Sequence, residues 1–311
     1  MDIRRREFLA GLVAAAPQAG LLRAAARIGL DRISLLTDEI ARTPADAIAF
    51  CKQYGVQWVE LRGVPGGGGT YAYLAEDLLR ETARQLREAG LRVSFLNTPL
   101  LKFTLPGTEP ARRRTETPEQ RQLREERERA LFERRFEDLK KALRAAEIFD
   151  VRLVRVFTFT RVAEPEQLLP RVAEILREMV GEARRAGVRL LVENEGSCNV
   201  ATSAELRRLC ELLPDEGLGI NWDPVNALGR GEKCWPDGYR QLPVKRIGNV
   251  QMKARGLVIG PEFLPWGEIF DALAADGYSG KIGLETHVFD GTLIEKAHLC
   301  MQKILELTGR S

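Results

Sequence analysis

The 311-residue chain carries 47 Lys+Arg against 44 Asp+Glu, a net charge of +3, with 44% hydrophobic and 29% charged residues. That composition is globular and excludes disordered and collagen-like classes; so even a charge balance speaks against a face that grips nucleic acid by neutralising phosphates. Five scattered cysteines (Cys51, Cys198, Cys210, Cys234 and Cys300) without a CxxC pair indicate neither a zinc ribbon nor a disulfide scaffold, and two histidines, His287 and His298, limit any imidazole cluster or relay.

Residues 1–30 open with Arg4-Arg5-Arg6 and Phe8-Leu9, followed by an apolar, alanine-rich stretch over 10–16. A basic cluster, a short apolar run and small residues are the layout of an export signal, and Arg5-Arg6-x-Phe8-Leu9 resembles the twin-arginine type, which implies a periplasmic destination. Arg23 and Arg27 interrupt the segment, with Ala24-Ala25-Ala26 as a cleavage candidate. The other reading is an N-terminal amphipathic helix of a cytoplasmic protein. The run is too short for a stable membrane span, which needs about 20 apolar residues.

From Arg32 onward, short apolar or β-branched runs alternate with longer amphipathic segments, the pattern of parallel strands joined by crossover helices. Strands are predicted at 32–37, 56–61, 91–97, 151–159, 188–194, 217–222, 247–253 and 281–285, which makes eight. Helical stretches lie between them, as at 44–54, 73–89, 165–186 and 202–213, with Gly55, Gly90 and Gly187 as stops. Residues 116–149 read as one long helix with a densely charged, solvated face, whose arginines belong to the surface rather than to a site. Gly66-Gly67-Gly68-Gly69 lacks the Lys-Ser/Thr of a phosphate loop and is read as a mobile loop over the barrel mouth. No break in composition suggests a second domain, so residues 31–311 are expected to form a single (β/α)8 TIM barrel.

Barrels of this kind do their chemistry at the carboxyl ends of the strands. Acids recur there: Asp38-Glu39 after the first strand, Glu60 with Arg62 at the second, Glu193 and Glu195 at the fifth, Asp223 at the sixth, and Glu285 with His287 at the eighth. Several carboxylates converging on one mouth repel unless a cation or fixed donors neutralise them. With so few His and Cys available, a divalent oxygen-loving ion, Mn2+ or Mg2+ before zinc, is the expected neutraliser.

Taken in order, VELR (59–62), LLVENEG (190–196), NWDPVNA (221–227), NVQMKAR (249–255) and GYSGKIGLETH (277–287) resemble the xylose isomerase-like sugar phosphate isomerase/epimerase superfamily. The resemblance implies a metal held by Glu193, Asp223, Gln251 and Glu285, and proton abstraction beside the carbonyl of a small carbohydrate, with Glu193 and Glu285 as acid and base. Lys253 is expected to steady an enediolate or an anionic group, and Glu60, Arg62, Asn226 and His287 to contact substrate. The sequence departs from the pattern at Gln251 and Asn249, where a His-x-His is usual, and at Asn226, where many sugar epimerases have His. Besides an isomerase or epimerase, two alternatives stay open: a keto-sugar glycoside lyase or hydrolase, and a non-catalytic sugar-binding barrel with a degraded metal site. A nucleic-acid endonuclease on the same barrel would need many more histidines. Self-association into a homo-oligomer is left open.

Overall fold

In a computed structural model that describes residues 27–112, 115–214, 217–254, 258–260 and 263–309, eight parallel strands close into one barrel in the order β1 to β8. They are β1 (Ile33–Leu36), β2 (Trp58–Leu61), β3 (Arg92–Leu96), β4 (Leu153–Val156), β5 (Arg189–Glu193), β6 (Leu218–Trp222), β7 (Ile247–Lys253) and β8 (Lys281–Glu285). Every predicted strand is present, and closure by pairing of β1 with β8 leaves no edge. The strands are buried on both faces, as parallel sheets covered by helices must be.

The outer layer comprises α1 (Pro44–Tyr54), α2 (Glu76–Glu88), α3 (Pro118–Glu133), α4 (Arg135–Phe149), α5 (Pro165–Arg185), α6 (Ser203–Leu212), the short α7 (Pro224–Leu228), α8 (Trp266–Ala275) and α9 (Leu293–Thr308). Helix starts follow local chemistry: Thr202 and Glu205 form a reciprocal cap on α6, and the Thr43 hydroxyl caps α1. Gly55 closes α1 at φ 67°, a left-handed conformation cheap only for glycine.

Two expectations change, the single long helix and the bound of the N-terminal extension. The long helix over 116–149 is two helices, broken at Arg134; α3 buries none of its residues, whereas α4 buries Leu139, Ala142, Ala145, Ala146 and Phe149. A helix with no apolar stripe follows a solvated path, so the change from no stripe to a strong one coincides with the change of direction. The glycine-rich loop forms a turn, closed by the Gly63–Thr70 bridge and a Val64 N–H to Gly69 carbonyl bond. The predicted N-terminal extension lies mostly outside the described residues; Ile28 and Leu30, assigned to it, are buried in the barrel core. All five cysteines are free and buried, as expected. Among the described residues no helix is long and apolar enough to cross a membrane.

Candidate active site

Side chains alternate along a strand, so Asn249, Gln251 and Lys253 of β7 all point into the barrel, as do Gly283 and Glu285 of β8. Glu60 of β2 reaches the same interior and is 0% exposed. Its carboxylate accepts three amide donors: Asn97 Nδ2 at 2.8 Å, Gln251 Nε2 at 2.7 Å and Asn249 Nδ2 at 3.0 Å. Burial pushes Glu60 up to about 7 although these bonds pull the other way. Room for it comes from Gly283, where a Cβ would lie 1.9 Å from Glu60 Oε1. Asn249 Nδ2 also donates to Asn221 Oδ1 at 3.0 Å, and Asn221 Nδ2 donates to Glu193 Oε2 at 2.7 Å, so a continuous amide layer links Glu60 to Glu193.

Above this layer the carboxylates meet cations that the chain itself supplies. Arg155 of β4 donates to Glu193 Oε2 at 2.9 Å, with both side chains under a tenth exposed. Lys253 Nζ lies 2.6 Å from Asp223 Oδ2 and 3.5 Å from Glu285 Oε2. Arg62 joins Asp38, Glu39 and Glu285, reaching Glu285 Oε1 at 3.0 Å. Burial works to discharge Lys253, but Asp223, Glu285 and Glu193 outweigh it and keep the ammonium charged. Burial raises Asp223 to about 6, with Lys253 opposing. For Glu285, burial is overcome by Lys253, the His287 contact and Arg62, which hold it well below the usual carboxylate range.

The predicted substrate-binding residues divide by position. Arg62, 28% exposed, and His287, 38% exposed with Nδ1 3.4 Å from Glu285 Oε1, open to the mouth. Asn226 is buried on α7, its backbone N–H bound to Asp223 Oδ1 and its Oδ1 accepting from Lys253 Nζ at 3.3 Å, so it orients the ion pair. Glu60 sits beneath, sealed by amides. Trp222 and Trp266 are core residues, 0% and 2% exposed. Arg155 escaped the sequence reading, although its signal was there: a lone charge inside the apolar run LVRVF over 153–157.

The four predicted metal ligands come to the same mouth, but the residues present do not fit a four-ligand divalent site. Asp223 Oδ2, Glu285 Oε2 and Gln251 Oε1 are buried without a well-aligned hydrogen bond, as oxygens awaiting a cation would be. Yet the first two face the Lys253 ammonium, Glu193 is taken by Arg155, and Gln251 turns its amide to Glu60. Another group of described residues, Glu39, Glu285 and His287, brings its ligand atoms within 4.8 Å of one another and could hold an ion. There too cations and donors are already in place: Arg62 bonds Glu39 and Glu285, and Glu39 Oε2 accepts the His287 N–H at 2.8 Å and the Thr286 hydroxyl at 3.0 Å.

Beside the mouth, between the β3–β4 connection and the loop after β5, lies a cleft of about 900 Å³. Lys102, which pairs with Glu195 at 3.0 Å, forms one wall; Arg112, Arg121, Arg127 and Arg230 also line it. Arg121 and Arg127 of α3, read as plain surface, thus border a cleft beside the site.

A family profile described as xylose isomerase-like TIM barrel matches residues 48–304. No curated protein matches the sequence. Among solved structures, an IOLI protein with a bound zinc atom aligns at TM-score 0.67 and 14% identity, covering 90% of this chain and 98% of that one. L-ribulose 3-epimerase aligns at 0.65 and 18%, covering 89% and 94%. The 3-keto-D-glucoside 4-epimerase YcjR from E. coli aligns at 0.62 and 15%, covering 89% and 99%. Identities this low establish the fold; the profile match over most of the chain, on a closed eight-stranded parallel barrel, shows that the protein belongs to the xylose isomerase-like TIM barrel family.

Proposed function

We propose that this barrel is a carbohydrate isomerase or epimerase that moves a proton on the carbon beside a carbonyl, with Glu193 and Glu285 as the acid–base pair. The observation that carries the reading is how these carboxylates are held. Among the described residues Glu193 is bound through Oε2, by Arg155 and Asn221, which leaves Oε1 for substrate. Glu285 is fixed by Arg62 at Oε1 and, with Lys253 and Arg62 holding its pKa down, stands ionised, the protonation state that a base requires. In this reading a carbon-bound proton passes to the Glu285 carboxylate. The electron pair left behind forms an enediolate whose charge sits on the former carbonyl oxygen, next to Lys253. Epimerisation then needs Glu193 to start the cycle carrying a proton, which it delivers to the opposite face, leaving Glu285 protonated; isomerisation instead returns the Glu285 proton to the former carbonyl carbon while the hydroxyl proton of the first carbon passes to the enediolate oxygen. Arg62 and His287, the site's most exposed polar side chains, hold hydroxyls. The activities of two similarly folded proteins, L-ribulose 3-epimerase and 3-keto-D-glucoside 4-epimerase, support a keto-sugar substrate.

No step above depends on a divalent ion. The test is deuterium uptake from D2O beside the carbonyl across a panel of keto-sugars. Glu285→Gln and Glu193→Gln are each expected to lower exchange by about 10²- to 10⁴-fold; exchange that survives both substitutions would sink the assignment. A sugar with a leaving group next to the enediolate would instead show elimination, the lyase outcome. For the N-terminal segment we propose export by the twin-arginine route. A periplasmic fraction containing protein trimmed near Ala26 is expected, and untrimmed protein retained inside the cell would refute it.

A further inference from the structure

We propose that the Lys253 ammonium is the resident cation of this site, standing where the family resemblance implies a divalent ion, so that the chain works without a metal. Three observations converge on it. First, the strand-seven position that should supply an imidazole is Gln251, and its amide is committed to Glu60 at 2.7 Å. Asn249, in the other histidine position of the same strand, bonds Glu60 and Asn221. The strand has thus exchanged ligands for internal scaffolding. Second, Lys253 is the next inward residue of β7 and the direct register partner of Glu285 on β8, so the fold delivers its ammonium between Asp223 and Glu285 with the side chain only 3% exposed. Asn226, where a histidine is usual, accepts from the same ammonium at 3.3 Å and helps to aim it. Third, the remaining implied ligand, Glu193, has its own cation in Arg155. Each implied carboxylate ligand therefore has a tethered positive charge, and a divalent ion entering between Asp223 and Glu285 would meet the ammonium at contact distance, with like-charge repulsion in a buried site.

A tethered ammonium differs from an ion in two ways. It cannot be removed by chelation, and it brings a single charge with directed N–H donors. Its action on an enediolate oxygen rests on the reaction proposed above; its place in the site does not.

The experiment is elemental analysis of wild-type protein purified without chelator, together with Mn2+ titration followed by the electron paramagnetic resonance of free Mn2+ and by thermal unfolding. Wild type is expected to carry no stoichiometric divalent ion and to gain no thermal stability from Mn2+. Lys253→Gln, which leaves Asp223 without its cation and Glu285 with Arg62 alone, is expected to bind Mn2+ at least tenfold more tightly than wild type, on the order of 1.4 kcal/mol or more, and to be stabilised by it. Wild type holding one ion per chain would overturn the proposal, and loss of that ion in Glu39→Gln would place it at Glu39, Glu285 and His287. Equal Mn2+ binding by wild type and Lys253→Gln would overturn it as well. Should Lys253→Gln not fold, Asp223→Asn in wild type decides: it leaves metal content unchanged if the ammonium is the cation, and lowers it if an ion is. None of these readouts uses a substrate. Metal-free protein that exchanges no substrate proton would remove the proton-transfer reading alone, and active, metal-loaded protein would remove the Lys253 proposal alone.

Discussion

The barrel mouth and the neighbouring cleft both hold ion pairs, Arg124 with Glu116 and Glu128 in the cleft among them, yet they differ in how far their charges are buried. In the mouth, charged groups are buried and matched at short range: Arg155 to Glu193 at 2.9 Å, Lys253 to Asp223 at 2.6 Å, and Arg62 to three acids. In the cleft, arginines such as Arg121 and Arg127 border solvent on α3, a helix that buries nothing. Water supplies what a partner supplies in the interior, because an unpaired charge is expensive only where the dielectric is low. Burial of charge thus marks the part of this protein where a substitution is felt.

Breaking that contrast gives a graded set of expectations. Lys253→Met, which strands Asp223 in the interior and removes one of the two cations at Glu285, is expected to cost about 3–5 kcal/mol in urea unfolding. A loss within the range of surface substitutions would mean that the buried pair is not held as described. Gly283→Ala places a Cβ 1.9 Å from Glu60 Oε1, and overpacking at such a site costs about 1–3 kcal/mol; Gly283→Ala combined with Glu60→Ala is expected to recover part of the loss if Glu60 is the cause.

Glu60 gives the pH dependence. Its folded-state pKa, near 7, stands above its ordinary 4.5, so the folded protein binds the extra proton. Its stabilising contribution is complete below about 4.5 and is lost as pH rises through 7, with a slope of at most about 1.4 kcal/mol per pH unit. Chemical unfolding of Glu60→Gln across this window should lack that slope; an unchanged slope would remove Glu60 as its source. Last, Arg121→Ala and Arg127→Ala are expected to change stability by no more than about 0.5 kcal/mol. A larger loss would show that these two arginines are held as tightly as the charges of the mouth.

Much of this was legible in the chain. The alternation of apolar runs with amphipathic stretches, and the stops at Gly55 and Gly187, carried the eight units, because both signals are local. The carboxylates at strand ends were legible for the same reason: Glu193 and Glu285 occupy the last positions of their strands. The break at Arg134 was harder to see, since uniform charge masks the point at which the apolar stripe begins. The cations were the least visible part. Arg155 and Glu193 are 38 positions apart, and Gln251 and Glu60 are 191 apart.

By itself, then, the sequence determined the barrel, its eight strands and which acids stand at its mouth, because strand period, helix period and turn chemistry act over a few residues. Only the tertiary structure decided which cation serves which carboxylate and that Gln251 faces Glu60. Those pairings arise when closure of the barrel brings distant strands into one register, and no local pattern encodes them.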